Sequence, residues 1–248
     1  MLILFSYFMV AFLIPRLITH WKEDNSNEDR KNLIVSVLIE LFLLMPLMQW
    51  TSFYLFLVFI MFYHVISYMI KKIVANLYVV RILEFIFLLI VGGFFLGVFS
   101  YIIDFNEAIL QIFLNIIQVH VLFSIYATVD WRNFFIILFG VLVLMNEMNT
   151  IVRFILHLIK TEPMLNSETT DSQELGRGKI IGVIERLLFF FFVFTNNYGS
   201  IAFILVAKGF TRFRELDDKN FAEYVLIGTL LSSSLSIFWA FYIQSLVF

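Results

Sequence analysis

The sequence predicts an all-α protein: a polytopic transmembrane helix bundle of about eight spans plus one interfacial or re-entrant helix. Three observations predict it. Of 248 residues, 61% are hydrophobic and 15% charged, against roughly half and a quarter in ordinary soluble domains. Mean hydropathy is +0.93, and one soluble core cannot hide that much apolar side chain, so lipid must face much of the surface. The apolar runs lack the strict alternation of barrel strands, which leaves helices.

A spanning helix needs about 20 mostly apolar residues. The runs that approach this are 1–21, 32–50, 51–70, 82–103, 108–127, 133–152, 180–195, 198–214 and 224–246. The first has about 14 apolar residues before Pro15–Arg16, too few to cross untilted, so it is either re-entrant or lengthened by snorkelling of Arg16 and Lys22. It has no basic n-region and no small-residue cleavage site, and is expected to be retained in the membrane.

Lys and Arg concentrate in alternate connections. One set holds Arg16, Lys22, Arg30 and Lys31; Lys71, Lys72 and Arg81; Arg153, Lys160, Arg177 and Lys179; and Lys208, Arg212, Arg214 and Lys219. The connections Gln49–Ser52, Asp104–Glu107 and Thr195–Gly199 have neither residue. The positive-inside rule puts the basic set in the cytoplasm. Asp104 is then outside and Arg153 inside, which requires an odd number of spans between them, yet 108–127 and 133–152 make two. The run 108–127 is the exception, because Gln111, Asn115 and Gln118 form one polar stripe along it. That stripe suits an interfacial, re-entrant or water-lined position. Both termini are then outside. The polar stretch 161–179, "TEPMLNSETTDSQELGRGK", reads as a cytoplasmic linker. It divides an N-terminal transmembrane bundle, 1–160, from a C-terminal transmembrane unit, 180–248.

The C-terminal unit carries charges where lipid would otherwise lie. "TNNYG" (195–199) is turn chemistry between two apolar runs, so the flanking helices are antiparallel neighbours. Glu185 lies about 18 Å back from that turn, level with the gap between Lys208 and Arg212. Lys208, Arg212 and Glu215 share one helix face. A carboxylate opposite two bases offsets the insertion cost of about 2.5–3.5 kcal/mol per central charge. Arg186 points about 100° away from Glu185, toward the cytoplasmic interface, Glu223, Glu215 or lipid phosphate. Structural pairing and a ligand, ion or headgroup site are both open for Glu185, Arg186, Lys208, Arg212, Glu215 and Glu223.

"GRGKIIGVIERLL" and "AKGFTRFRELDDKNFAEYVLIGTLLS" resemble the C-terminal part of a family of uncharacterised bacterial multi-pass inner-membrane proteins. The residues that fit are Glu185, Arg186, Lys208, Arg212, Phe213, Glu215, Phe221, Ala222, Glu223, Tyr224, Gly228 and Thr229. The resemblance implies location and topology, and no reaction. The N-terminal half of such proteins bears His, Asp and Gln near helix ends. Here "FYHVISYMIKK" keeps His64 and Lys71 with no acidic residue beside them.

No other motif points to chemistry. The four His residues show neither H-x₃-H nor H-E-x-x-H spacing, so no metal site is expected. Cys is absent, which excludes disulfides, thiolate ligands and a Cys nucleophile. "GRGKIIG" lacks phosphate-loop spacing, so no cofactor is expected. Net charge is −2, which gives no basic field for nucleic acid. Gly93 and Gly97 form one GxxxG. Asn146, Glu147 and Asn149 start a helix with Arg153, His157 and Lys160 on a basic face. Ser232, Ser233, Ser234 and Ser236 suit close packing or a hydrated path. The expected protein is no enzyme and has no catalytic residues. It is a scaffold, sensor or effector in a bacterial inner membrane, linked to stress or defence, in contact with lipids and a protein partner or a second copy. A small transporter or channel is the alternative.

Overall fold

The computed structural model describes residues 1–22, 29–47, 49, 52–109, 130–159, 172–211 and 219–248. All regular elements among them are helical. They are α1 (Leu2–Lys22), α2 (Asp29–Leu44), a 3-10 turn (Met45–Leu47), α3 (Phe53–Ile73), α4 (Leu77–Val98), α5 (Trp131–Met145), α6 (Glu147–Ile159), α7 (Ser172–Phe194), α8 (Tyr198–Thr211) and α9 (Lys219–Val247). Five stretches are long and apolar enough to cross a membrane: Leu2–Thr19, Phe53–Ile73, Leu77–Val98, Trp131–Ile159 and Leu226–Val247. The apolar core of α8, Tyr198–Phe210, is shorter. Large side chains point outward from these helices, Phe94 at 72% exposure and Phe238 at 74%, as a lipid-facing surface requires. The polar stripe Gln111, Asn115 and Gln118 lies outside the described residues, as do Lys160, Arg212, Glu215 and positions 161–171 of the expected linker. The rest of that linker, from Ser172, is the start of α7.

The first run is longer than its composition suggested. Helix α1 continues through Pro15 to Lys22. Proline removes one ladder hydrogen bond, but Arg16 finds partners inside the protein, so the charge does not end the apolar segment. Thr19 Oγ1 donates to the Pro15 carbonyl at 3.0 Å.

The chain divides into two compact units, Met1–Leu142 and Val143–Phe248. In the first, α1 packs on α2 and α4, α3 packs on α4, and α2 reaches α3, which closes a ring of four helices. Its centre is aromatic. Phe8 meets Phe12, Phe56, Phe59 and Phe95 with centroids 4.8–6.4 Å apart. Local signals set the helix starts: Asn76 Oδ1 accepts from Tyr78 N at 2.9 Å, and Asp130 Oδ1 accepts from Arg132 N at 3.0 Å, both as N-caps.

The close approach of α1 to α4 falls at Gly92. A Cβ there would lie 2.8 Å from Phe8 Cε1. Gly93 is looser, 3.6 Å from Phe5, and Gly97 has nothing within 4 Å, so the GxxxG pair is not what joins these helices. Gly92→Ala is expected to cost about 1–3 kcal/mol, the usual penalty for overpacking. Gly97→Ala should cost nothing by comparison, and thermal unfolding of both variants in detergent checks this.

In the second unit, α7 packs on α8 and α9, and α9 on α6. The α7–α8 turn closes in a Schellman arrangement. Asn196 takes φ 53°, Asn196 N donates to Val193 O at 3.0 Å, and Asn197 N to Phe192 O at 2.8 Å. Asn tolerates this left-handed position better than other non-glycine residues, which is why it stands there.

Candidate functional site

Each unit holds ionisable groups against apolar surroundings. In the second unit Lys208 Nζ contacts Glu185 Oε2 directly across the α7–α8 hairpin. Their side chains are 18% and 15% exposed. The Asn196 turn and a rise of about 1.5 Å per residue bring them level, as the sequence reading expected.

Arg186 does not follow that reading. It is 3% exposed and reaches neither the interface nor lipid. Its Nε donates to the Leu144 carbonyl at 3.2 Å and its Nη1 to Ser232 Oγ at 3.4 Å. Nη2 has no partner. Gly182, one turn earlier, leaves room for it, since a Cβ there would sit 3.4 Å from Nη1. The reason is rotational: one residue on from Glu185, the helix turns toward the C-terminal end of α5 and toward α9 rather than toward α8. Glu223 is exposed. The α9 serines bond back to their own helix: Ser233 Oγ donates to Thr229 O at 2.8 Å and Ser236 Oγ to Ser232 O at 2.7 Å. At the turn end, a depression of about 450 Å³ is lined by Phe194, Asn196, Phe241, Gln244, Ser245 and Phe248. No charged side chain lines it.

Asn146, Glu147, Asn149 and Thr150 are buried, and Asn146 Nδ2 donates to Glu147 Oε1 at 2.9 Å. Arg153 and His157 face outward, while Lys160, the third residue of that expected basic face, lies outside the described residues.

The first unit holds a cluster that sequence reasoning missed. Arg16 on α1 is its centre. Its Nη1 donates to Tyr63 Oη at 2.9 Å and to Glu84 Oε2 at 3.1 Å, and its Nη2 donates to the Arg81 carbonyl at 3.2 Å. Ser67 Oγ donates to the other Glu84 oxygen. One residue on from Tyr63, His64 Nε2 lies 2.9 Å from Glu40 Oε2 on α2. The Glu40 side chain is 2% exposed and that of His64 19%. His64 therefore has an acidic partner, supplied by another helix. The signal was the lone acid in each apolar run, Glu40 in "VLIELFLL" and Glu84 in "RILEFIFLL", since an intramembrane carboxylate implies a partner.

Chemically, the cluster joins two carboxylates, a guanidinium, an imidazole and two hydroxyls across four helices. Among the described residues, no group of three or more His, Cys, Asp or Glu is placed to hold a metal ion. Comparison of the chain with family models, curated proteins and solved structures finds no match.

Proposed function

We propose that the chain is a non-enzymatic membrane component, a scaffold, sensor or effector of a bacterial inner membrane. One observation carries this reading: three acids set in apolar helices each meet a base on a neighbouring helix, Glu84 with Arg16, Glu40 with His64 and Glu185 with Lys208. Each pair joins two helices, and buried ion pairs of this kind serve best to fix register between packed elements. The positive-inside pattern supports eight spans with 108–127 interfacial or re-entrant, both termini outside and 161–179 cytoplasmic. The resemblance of residues 176–232 to bacterial inner-membrane proteins supports the location. Lipids surround the bundle, a second copy or another membrane protein is its partner, and stress or defence is its setting.

The connected groups Glu40, His64, Tyr63, Arg16, Glu84 and Ser67 favour a second reading, a small transporter or channel. Such side chains carry protons and cations in pumps. Purified protein in liposomes, under imposed proton, sodium and potassium gradients, separates the two. The scaffold reading expects no flux above empty liposomes. Flux that disappears in Glu40→Gln or Glu185→Gln would overturn it in favour of transport.

A further inference from the structure

We propose that the α3–α4 hairpin holds an anionic phospholipid, with its headgroup phosphate on Lys71 and Lys72 and an acyl chain along the outward face of α3. Helix length sets the depth. α3 has 21 residues and α4 has 22, about 31 and 33 Å at 1.5 Å each, which matches a hydrocarbon core of about 30 Å. Only Val74, Ala75 and Asn76 join them. So short a connection cannot carry this end of the hairpin far into water. The residues that flank it, Ile73 and Leu77, are apolar and exposed, which suits a headgroup region and not bulk solvent. Lys71 and Lys72 therefore stand at the boundary between acyl chains and headgroups, where lipid phosphates lie.

The charge there is one-sided. Both lysines are exposed, and among the described residues neither pairs with an acid. Residues 41–83 contain no Asp or Glu. The acids that bound this stretch, Glu40 and Glu84, are buried and engaged by His64 and Arg16. The N-terminal end of α4 lies beside the lysines and adds partial positive charge. Below the lysines, α3 offers a track for an acyl chain. Met61, Val65, Tyr68 and Lys72 follow at intervals of four, three and four residues, so they form one stripe, and all four are exposed. From Lys72 back to Met61 is about 16 Å along the axis, close to half the hydrocarbon core. The Tyr68 ring, one turn below the lysines, has the amphipathic character that favours the interface. Phosphatidylcholine would fit the stripe equally well, but its headgroup brings its own cation to the lysines. An anionic headgroup does not, and each lysine near an anionic surface is worth about a fivefold preference.

The site requires α3 and α4 to cross a bilayer, as proposed above, and is the same for a scaffold or a transporter. The chain has no Cys, so Met61→Cys gives a single attachment point for a fluorophore at the far end of the stripe. The labelled full-length protein is reconstituted into phosphatidylcholine vesicles. Dibrominated phosphatidylglycerol is titrated in one series and dibrominated phosphatidylcholine in another, and quenching of the label gives their relative affinities. Vesicle flotation shows separately whether the chain is in the bilayer. The expected result is a preference of about 5–25-fold for the anionic lipid. It should fall to about one in Lys71→Gln with Lys72→Gln, and persist in Lys71→Arg with Lys72→Arg, since charge rather than shape supplies it. Equal quenching by the two lipids would overturn the proposal, as would a preference that survives the two glutamines. Floated protein whose label neither lipid quenches would also overturn it, and would put a second copy or another protein over the stripe. Protein that fails to float would overturn the membrane reading, and the lipid site with it.

Discussion

Arg16→Met is expected to lower the stability of the protein by about 3–5 kcal/mol, the cost of removing one partner from a buried ion pair. Methionine fills much the same volume, so lost packing is minor. What remains is the Glu84 carboxylate, buried and held by Ser67 alone among its contacts described above. Tyr63 Oη and the Arg81 carbonyl lose their donor at the same stroke. That is a large share of a typical stability of about 5–15 kcal/mol, and much of the Arg16→Met protein should fail to fold in detergent. Arg16→Met with Glu84→Leu removes both charges and should recover most of the loss, because apolar replacement of a whole buried pair is often neutral or better. Circular dichroism during thermal unfolding in micelles measures both variants. If the double variant is as unstable as the single one, the pair is not what holds α1 to α4.

The second large effect falls at the hairpin. Glu185→Ala removes the carboxylate that the Lys208 ammonium meets, in a site where both side chains are less than one-fifth exposed. The expected loss is about 3 kcal/mol, the lower end of the range for a buried pair, because partial exposure screens the charge. Glu185→Ala with Lys208→Met should recover part of it. Denaturant titrations of the wild type, the two single variants and the double variant give the coupling energy. A coupling near zero would remove the pairing from the account.

The Glu185–Lys208 pair of the second unit was legible and the cluster of the first unit was not, for a physical reason. Glu185 and Lys208 lie on consecutive helices joined by a short turn. Chain length and helical rise then set their relative depth, and turn residues can be read directly. Glu40 and His64 are on consecutive helices too, 24 residues apart against 23 for Glu185 and Lys208, but with a 3-10 turn and a further connection between. Depth cannot be counted across that join. Rotation is equally hidden, because helices that are apolar all round do not announce which face turns inward. Arg186 shows the same gap. Its sequence position fixed that it points away from Glu185, and only its contacts with the end of α5 and with α9 fixed that it points inward. The residues that carry the resemblance lie in the second unit, while the densest set of ionisable contacts among the described residues lies in the first.

The Asn196 turn has a consequence for how this chain can vary. Most connections tolerate extra residues, because lengthening a loop costs little entropy. This one acts as a ruler. One inserted residue would rotate α8 by about 100° relative to the turn and slide it by about 1.5 Å, carrying the Lys208 ammonium off the face that Glu185 presents. Sequences built on this hairpin are therefore constrained in spacing as well as in composition: an insertion or deletion there must be matched by a shift in the position of the acid or the base.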